Sequence, residues 1–281
     1  MTVRNKQKLN WLERNLPEGL LVDASWMEEH GYSRSLRQDY LAGGWLEQPA
    51  RGVYRRPRGT LSWEQVVISL QTLLRLPVSV GGRTAIDMQG YAHYVTRKQE
   101  LVHLYSETKL PGWLSKLPVP VRFAVHNRSR FLPAVEQAFD LPLFPDSSGD
   151  STSSAVLPGA LRVMRWGQWE WPLVLSTPER AILELIDELP RNETFHNVDV
   201  TMEGLVDLSP RRMQKLLEEA ASVKVKRLFF FFADRHDHRW LKHIAREKID
   251  LGKGKRMIVK GGTFDPDYQI TVPKEMSDAL Q

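Results

Sequence analysis

The first sixty residues alternate apolar and polar positions in distinct rhythms. Residues 3–16 place Leu9, Leu12 and Leu16, with Trp11 beside them, on one stripe at helical spacing, and Pro17 and Gly19 end the run. A short apolar step from Leu20 to Val22 follows. Asp23 is of N-cap type for a helix over 24–30 that Gly31 ends, and Ser33 is of the same type for a second helix over 34–42, closed by Gly43 and Gly44. Two short helices joined by a glycine turn outline a helix-turn-helix. Beyond Gly44, residues 45–57 read as strand, turn and strand with the bend at Pro49 to Gly52, so the predicted unit carries a wing.

From residue 63 helices and strands mix. Helical spacing runs over 63–76, and a Gly81–Gly82 turn precedes a short helix over 84–90. Residues 100–107 and 119–128 alternate as strands, and 161–176 read as a hairpin around Gly167. The stretch 144–159, rich in Ser, Gly, Asp and Pro, predicts an exposed loop. Ser176 or Thr177 then caps a helix with Pro178 at its first position and Glu179 in its first turn. Further helices are predicted over 209–222 and 238–248, with the apolar stretch 227–236 between them. No segment repeats, which excludes a solenoid. The class expected is α+β: an N-terminal winged helix-turn-helix over residues 1–60 and a larger mixed α/β domain over 61–281.

Composition narrows the chemistry. The chain has 281 residues and no cysteine, which removes disulfides, thiol catalysis and cysteine zinc sites. No apolar run has signal-peptide or membrane-spanning length, so a cytoplasmic protein without a membrane partner is expected. The net charge of +5 says little, but its distribution says more. Lys and Arg less Asp and Glu give 10 − 7 = +3 over residues 1–60 and 15 − 6 = +9 over 211–260, leaving −7 for the rest.

Residues 30–59 hold six arginines and no lysine, and a planar five-donor guanidinium suits phosphate oxygens and guanine edges. On the helix over 34–42, Leu36, Tyr40 and Leu41 can face the core, which leaves Arg34, Ser35, Arg37 and Gln38 for an open face beside the cap Ser33. In the hairpin Val53 can pack inward, with Arg51 at the tip and Arg55 and Arg56 following, positions from which a wing grips backbone or minor groove. Those eight polar residues form the expected DNA-binding set. The same pattern also fits a solvated amphipathic helix followed by a basic hairpin.

Four segments in order, "RGVYRRP" closing the wing, "GGRTAIDMQGYAHYV", "STPERAILELIDEL" and "GGTFDPDYQITVP", resemble the AbiEi family of bacterial antitoxins, found beside nucleotidyltransferase toxins of the AbiEii type. The resemblance spans most of the chain, and the serine-rich loop at 146–154 looks like an insertion. It implies a repressor of its own operon whose N-terminal domain binds inverted repeats, and a C-terminal domain that neutralises the toxin without a stable complex. It implies neither enzymatic activity nor a cofactor.

Other residue groupings raise other chemistries. Asp234, His236, Asp237, His238 and His243 are metal-ligand types, but His238 and His243 are five apart and diverge on a helix, so no metal site is expected. Glu179, Glu184 and Asp187 on the helix after Pro178 are candidates for a nuclease-like acid cluster, and a protein-interaction module without DNA binding is the other rival. Arg211, Arg212, Lys215, Lys224, Lys226, Arg239, Lys242 and Arg246 form either a solvated face or a polyanion-binding one, for flanking DNA or for the RNA or nucleotide substrate of such a toxin.

Overall fold

A computed structural model describes residues 3–57, 59–91, 100–127, 132, 141–143 and 156–277. The N-terminal unit comprises α1 (Val3–Asn15), β1 (Leu21–Asp23), α2 (Ala24–Glu29), α3 (Arg34–Ala42), β2 (Glu47–Ala50) and β3 (Val53–Arg55). Its helix starts are the ones the side chains dictate: the Asp23 carboxylate accepts from Trp26 N at 3.0 Å and Ser33 Oγ from Leu36 N at 3.3 Å. Gly31 turns the chain between α2 and α3 at φ +80°, a conformation that costs a side-chain-bearing residue energy. The strands form an antiparallel sheet in the order β1-β3-β2, with an irregular register between Glu47 and Ala50 where Pro49 lacks an N–H. Two helices, a glycine turn and a following hairpin make a winged helix-turn-helix, packed on Leu12, Leu16, Val22, Met27, Tyr40 and Val53.

The next helix, α4 (Trp63–Thr72), joins this unit to a second sheet. Ser62 and Gln65 form a reciprocal capping box at its start. Ser69 Oγ accepts from Leu21 N of β1 at 2.9 Å, while the Gln71 side-chain amide bonds Val78 O, Val174 O and Val174 N, each at 2.9 Å. One helix thus satisfies backbone groups of both sheets, and among the described residues one large apolar core runs from Leu9 to Met276, with a small second cluster around Leu161 and Val174. The second sheet has six strands: β4 (Val78–Val80), β5 (Leu101–Ser106), β6 (Arg122–Asn127), β7 (Val156–Leu157), β8 (Leu161–Trp166) and β9 (Trp171–Ser176). Their order is β6-β5-β4-β9-β8-β7, with parallel β4·β9 and β5·β6 pairs, so the class is α+β as expected.

Against this sheet pack α5 (Gly82–Met88) and α6 (Pro178–Asp187), and α7 (Phe195–Gly204), α8 (Pro210–Glu219) and α9 (Val223–His236) pack in turn against α6. A small sheet, β10 (Arg256–Met257), β11 (Thr263–Asp265) and β12 (Ile270–Val272), and α10 (Lys274–Ser277) complete the described chain. The helix expected over 238–248 is absent. Two 3-10 turns, Arg239–His243 and Arg246–Lys248, take its place. The Gln214 side chain takes both backbone groups of Ala245, accepting from N at 2.8 Å and donating to O at 3.3 Å, which removes them from any helical ladder. Of the expected loop at 144–159, residues 144–155 lie outside the described residues, and the rest is β7 and a 3-10 turn.

Two of the sequence segments meet inside the fold. Glu184 of α6 is fully buried and accepts from Gly82 N at 2.9 Å, Ser176 Oγ at 3.0 Å and Arg180 Nε at 2.7 Å, and Arg180 also donates to Gly159 O at 2.7 Å. A Cβ on Gly81 would lie 2.3 Å from that carboxylate and 2.4 Å from the Tyr105 ring, so the close approach requires glycine. A buried carboxylate bonded on both oxygens is a structural anchor and cannot serve as the accessible acid of a nuclease. Glu184→Ala, which strands the Arg180 guanidinium, is expected to destabilise the chain by about 3–5 kcal/mol in urea unfolding, and a loss below about 1 kcal/mol would contradict that role.

Candidate nucleic-acid interface

The N-terminal half of α3 presents Arg34, Ser35 and Gln38 to solvent, and Arg51 is exposed at the turn of the wing. Among the described residues no side-chain hydrogen bond or ion pair engages Arg34, Gln38 or Arg51. Ser33 is committed as the helix cap, which leaves its O–H free to donate. One residue ties helix and wing together: Ala24 N donates to Gly52 O at 2.8 Å, and Ala24 O receives Arg37 NH1 at 3.4 Å. The wing turn and the middle of α3 are thereby held to the same point at the start of α2.

Three of the expected contact residues are not on that open surface. Arg37 is 4% exposed; it donates to Tyr32 O at 2.9 Å and to Glu28 Oε1 at 2.8 Å, and lies over the Tyr54 ring. Leu36, Arg37, Tyr40 and Leu41 form one i, i+3, i+4 stripe, a signal that could have placed Arg37 inward. Arg55 is 7% exposed, paired with Glu47 across the hairpin and donating to Gly59 O at 2.7 Å. Arg56 folds back on α1, reaching Glu13 O at 3.0 Å, Leu16 O at 3.3 Å and Glu18 at 3.3 Å. By Arg55 the strand has left the tip at Arg51 and Gly52, so these two arginines sit at the far end of the hairpin.

The C-terminal cations do not form the single face expected of them. Arg212 is held bidentate by Glu179 at 3.1 and 2.9 Å, Lys224 donates to Asp187 O and Leu189 O at the end of α6, and Lys226 is buried. Arg246 pairs with Asp234 and covers the Phe230 ring. Lys215 and Lys242 are exposed beside Glu219 and Asp237, while Arg211 and Arg239 are simply exposed. Of the metal-type residues, Asp234 serves Arg246, while the His236 and His238 rings stack with centroids 5.9 Å apart but are each engaged elsewhere, His236 with Asp199 at 3.0 Å and His238 with Met202 O at 2.8 Å. Burial pushes the Glu179 carboxyl up, but its bonds from Arg212 and Ser209 N outweigh that and hold it below the usual range.

Sequence reasoning missed a largely buried polar chain between β5, β6 and the turn after α6. Glu188 Oε1 meets His126 Nδ1 at 2.8 Å, His126 Nε2 meets His103 Nδ1 at 3.0 Å, and Asn192 donates to Glu188 at 2.6 Å. Burial and the neighbouring His126 push His103 down to about 4. Burial raises Glu188, but the hydrogen bonds from His126 and Asn192 prevail and bring it to about 2. His103, His126 and Glu188 are far apart along the chain, so no local spacing could have joined them.

Two family models match the chain: the N-terminal domain of the AbiEi antitoxin, a transcriptional regulator, over residues 5–97, and the transcriptional regulator, AbiEi antitoxin of type IV toxin–antitoxin systems, over 160–273. The chain therefore belongs to the AbiEi family of transcriptional-regulator antitoxins. A search of curated proteins returned no match. Among solved structures, the RV2827C protein from Mycobacterium tuberculosis aligns with a TM-score of 0.54 over 100% of this chain and 94% of its own, at 16% identity, a likeness of fold alone. Among the described residues no helix is long and apolar enough to cross a membrane.

Buried and exposed arginines should respond differently to removal. Arg37→Ala leaves buried carbonyls unpaired and is expected to cost about 2 kcal/mol of stability, whereas Arg34→Ala stays within about 0.5 kcal/mol of the parent, as read by chemical denaturation. The His103–His126–Glu188 chain sets a pH dependence. An unfolded His103 takes up a proton near its ordinary pKa of 6.5 while the folded one waits until about 4, so stability falls as pH drops through that window. Glu188 acts in the same sense, its contribution being lost as pH falls toward 2. His103→Gln is expected to reduce the stability lost between pH 6.5 and 4 by up to about 3 kcal/mol in total; an unchanged loss would refute the assignment.

Proposed function

We propose that the chain is a sequence-specific DNA-binding autorepressor that also neutralises a cognate nucleotidyltransferase toxin. Supporting this is one observation above all: Arg34, Ser35 and Gln38 at the start of α3 and Arg51 at the wing turn are exposed, and helix and turn are fastened to the same residue, Ala24. In this reading α3 enters the major groove with its N-terminal turns, Arg34 toward guanine and Gln38 toward adenine, and Ser33 and Ser35 hold phosphate. Arg51 reaches backbone or minor groove from the wing. Arg37 contributes by fixing α3 against α2 and the sheet, while Arg55 and Arg56 secure the far end of the hairpin and its seat on α1. The operator is a pair of inverted repeats upstream of the chain's own gene, and antitoxin activity belongs to the C-terminal region without a stable toxin complex.

Footprinting on that upstream DNA is expected to show paired protected repeats. Arg34→Ala and Gln38→Ala should each lose about 1–3 kcal/mol at one base pair and spare the others. Arg51→Ala should weaken all sequences alike and lower the log–log salt slope by about 0.9. No protection upstream, or binding that Arg34, Gln38 and Arg51 do not affect, would refute the reading. Co-expression with the neighbouring toxin tests the second half: rescue of growth without co-purification is the expected result.

A further inference from the structure

The small C-terminal sheet turns one face to solvent. Met257 of β10 and Phe264 of β11 are both register partners of Thr271 on the central strand β12, so the three side chains form one row on that face. The flanking β12 residues Ile270 and Val272 point the other way and are buried. Met257 is 71% exposed and Phe264 is 38% exposed, with Lys255 Nζ 4.8 Å from the centre of the Phe264 ring. Leaving large apolar side chains uncovered on a paired sheet is a feature that a ligand can explain.

Charge says what kind of ligand. Residues 251–262 carry Lys253, Lys255, Arg256 and Lys260 and no acid, and all four cations are exposed. The backbone beneath them is held in place: Arg227 donates to Leu251 O at 2.7 Å, Gly252 O at 3.0 Å and Gly254 O at 2.7 Å, and Thr271 Oγ1 accepts from Ile258 N at 2.9 Å and Val259 N at 3.2 Å. The acids flanking the loop in sequence are turned away, Asp250 onto Gly252 N at 2.7 Å and Asp265 onto Tyr268 N at 2.9 Å, with Asp267 exposed on the far turn. On the other side of Met257, Asp187 is paired with Lys224, and Glu188 with His126 and Asn192. Beside Met257 opens a cleft of about 400 Å³ whose lining mixes Arg191, Asn192, Lys224 and Ile258 with the paired carboxylates Asp187 and Glu188.

We propose that this face binds single-stranded nucleic acid. A duplex offers phosphates but hides its bases, and would leave Phe264 and Met257 unused. A single strand alternates a flat apolar base with an anionic phosphate, which matches an exposed ring flanked by exposed cations on a rigid loop. One base stacks on Phe264 and Met257, Lys255 swings from the ring to the adjoining phosphate, and Lys253, Arg256 and Lys260 follow the backbone. The adjoining cleft receives the next base against Arg191 and Asn192. This site is independent of the winged helix and stands or falls without it.

The test uses the full chain and fluorescence anisotropy with labelled oligouridylate and oligothymidylate of about eight nucleotides, against a duplex of equal length. Both single strands are expected to bind more tightly than the duplex. Phe264→Leu should weaken them about tenfold or more while Phe264→Tyr, which keeps the ring, does not. Lys255→Gln with Lys260→Gln, which touches no core residue, should reduce the salt slope by about 0.7 for each phosphate no longer neutralised, and serves in place of Phe264→Leu if that variant melts early. Arg34→Ala should change nothing. The proposal is overturned if no saturable binding occurs below about 0.1 mM, if the duplex competes as well as the single strands, or if neither the Phe264 nor the lysine variants alter affinity.

Discussion

A guanidinium presents five donors in a fixed plane, and a folded chain always has carbonyl oxygens at helix ends and in loops that no ladder reaches. Here that match recurs throughout. Arg37 joins Ala24 O and Tyr32 O, Arg56 joins Glu13 O and Leu16 O, Arg180 reaches Gly159 O, and Arg227 gathers carbonyls of the 251–254 loop. Lysine, with three donors on one point charge, can reach two such oxygens, as Lys224 does at the end of α6, but lacks the fixed planar fork. The winged unit depends on this: the Arg37 fork is what ties α3, the α2–α3 turn and the sheet residue Tyr54 to one another.

The placement of the outward side chains follows from the inward ones. Because Arg37 and the Gly52 carbonyl both meet Ala24, the orientation of α3 against the wing turn is set by hydrogen bonds and not by loop length. Arg34, Gln38 and Arg51 are then presented from a preorganised frame, which spares a ligand the entropy of ordering it. The same logic recurs in the C-terminal part, where Glu184 draws α6 against Gly82 and Arg227 stiffens the basic loop beside the small sheet.

Much of this was legible in the sequence. Caps at Asp23 and Ser33, glycine turns and hydrophobic spacing located the winged unit, and the segments shared with the AbiEi family located its relatives. The direction of the arginines was not legible as a bias in composition, since a fork suited to phosphate is equally suited to a carbonyl. Position within a stripe carried the missing signal for Arg37; for Arg55 and Arg56 only the hairpin register, which a sequence does not print, decides which end of the wing they occupy. The helix expected over 238–248 failed for a similar reason, since Gln214, thirty-one residues away, claims Ala245. The Glu188–His126–His103 chain and the Met257–Thr271–Phe264 row are long-range juxtapositions created by strand pairing.

The arginines of the winged unit divide into those that fasten the fold and those that stand exposed, Arg34 and Arg51. Side-chain NMR of the full chain labelled with 15N-arginine addresses that division directly, with spectra recorded before and after adding the upstream DNA. The Nε–H signals of Arg37, Arg55 and Arg56 should exchange slowly with water in the free protein and stay in place when DNA is added, while those of Arg34 and Arg51 should exchange fast and then shift. Fast exchange at Arg37, or a DNA-induced shift at Arg37 and Arg55 without one at Arg34 and Arg51, would contradict the account.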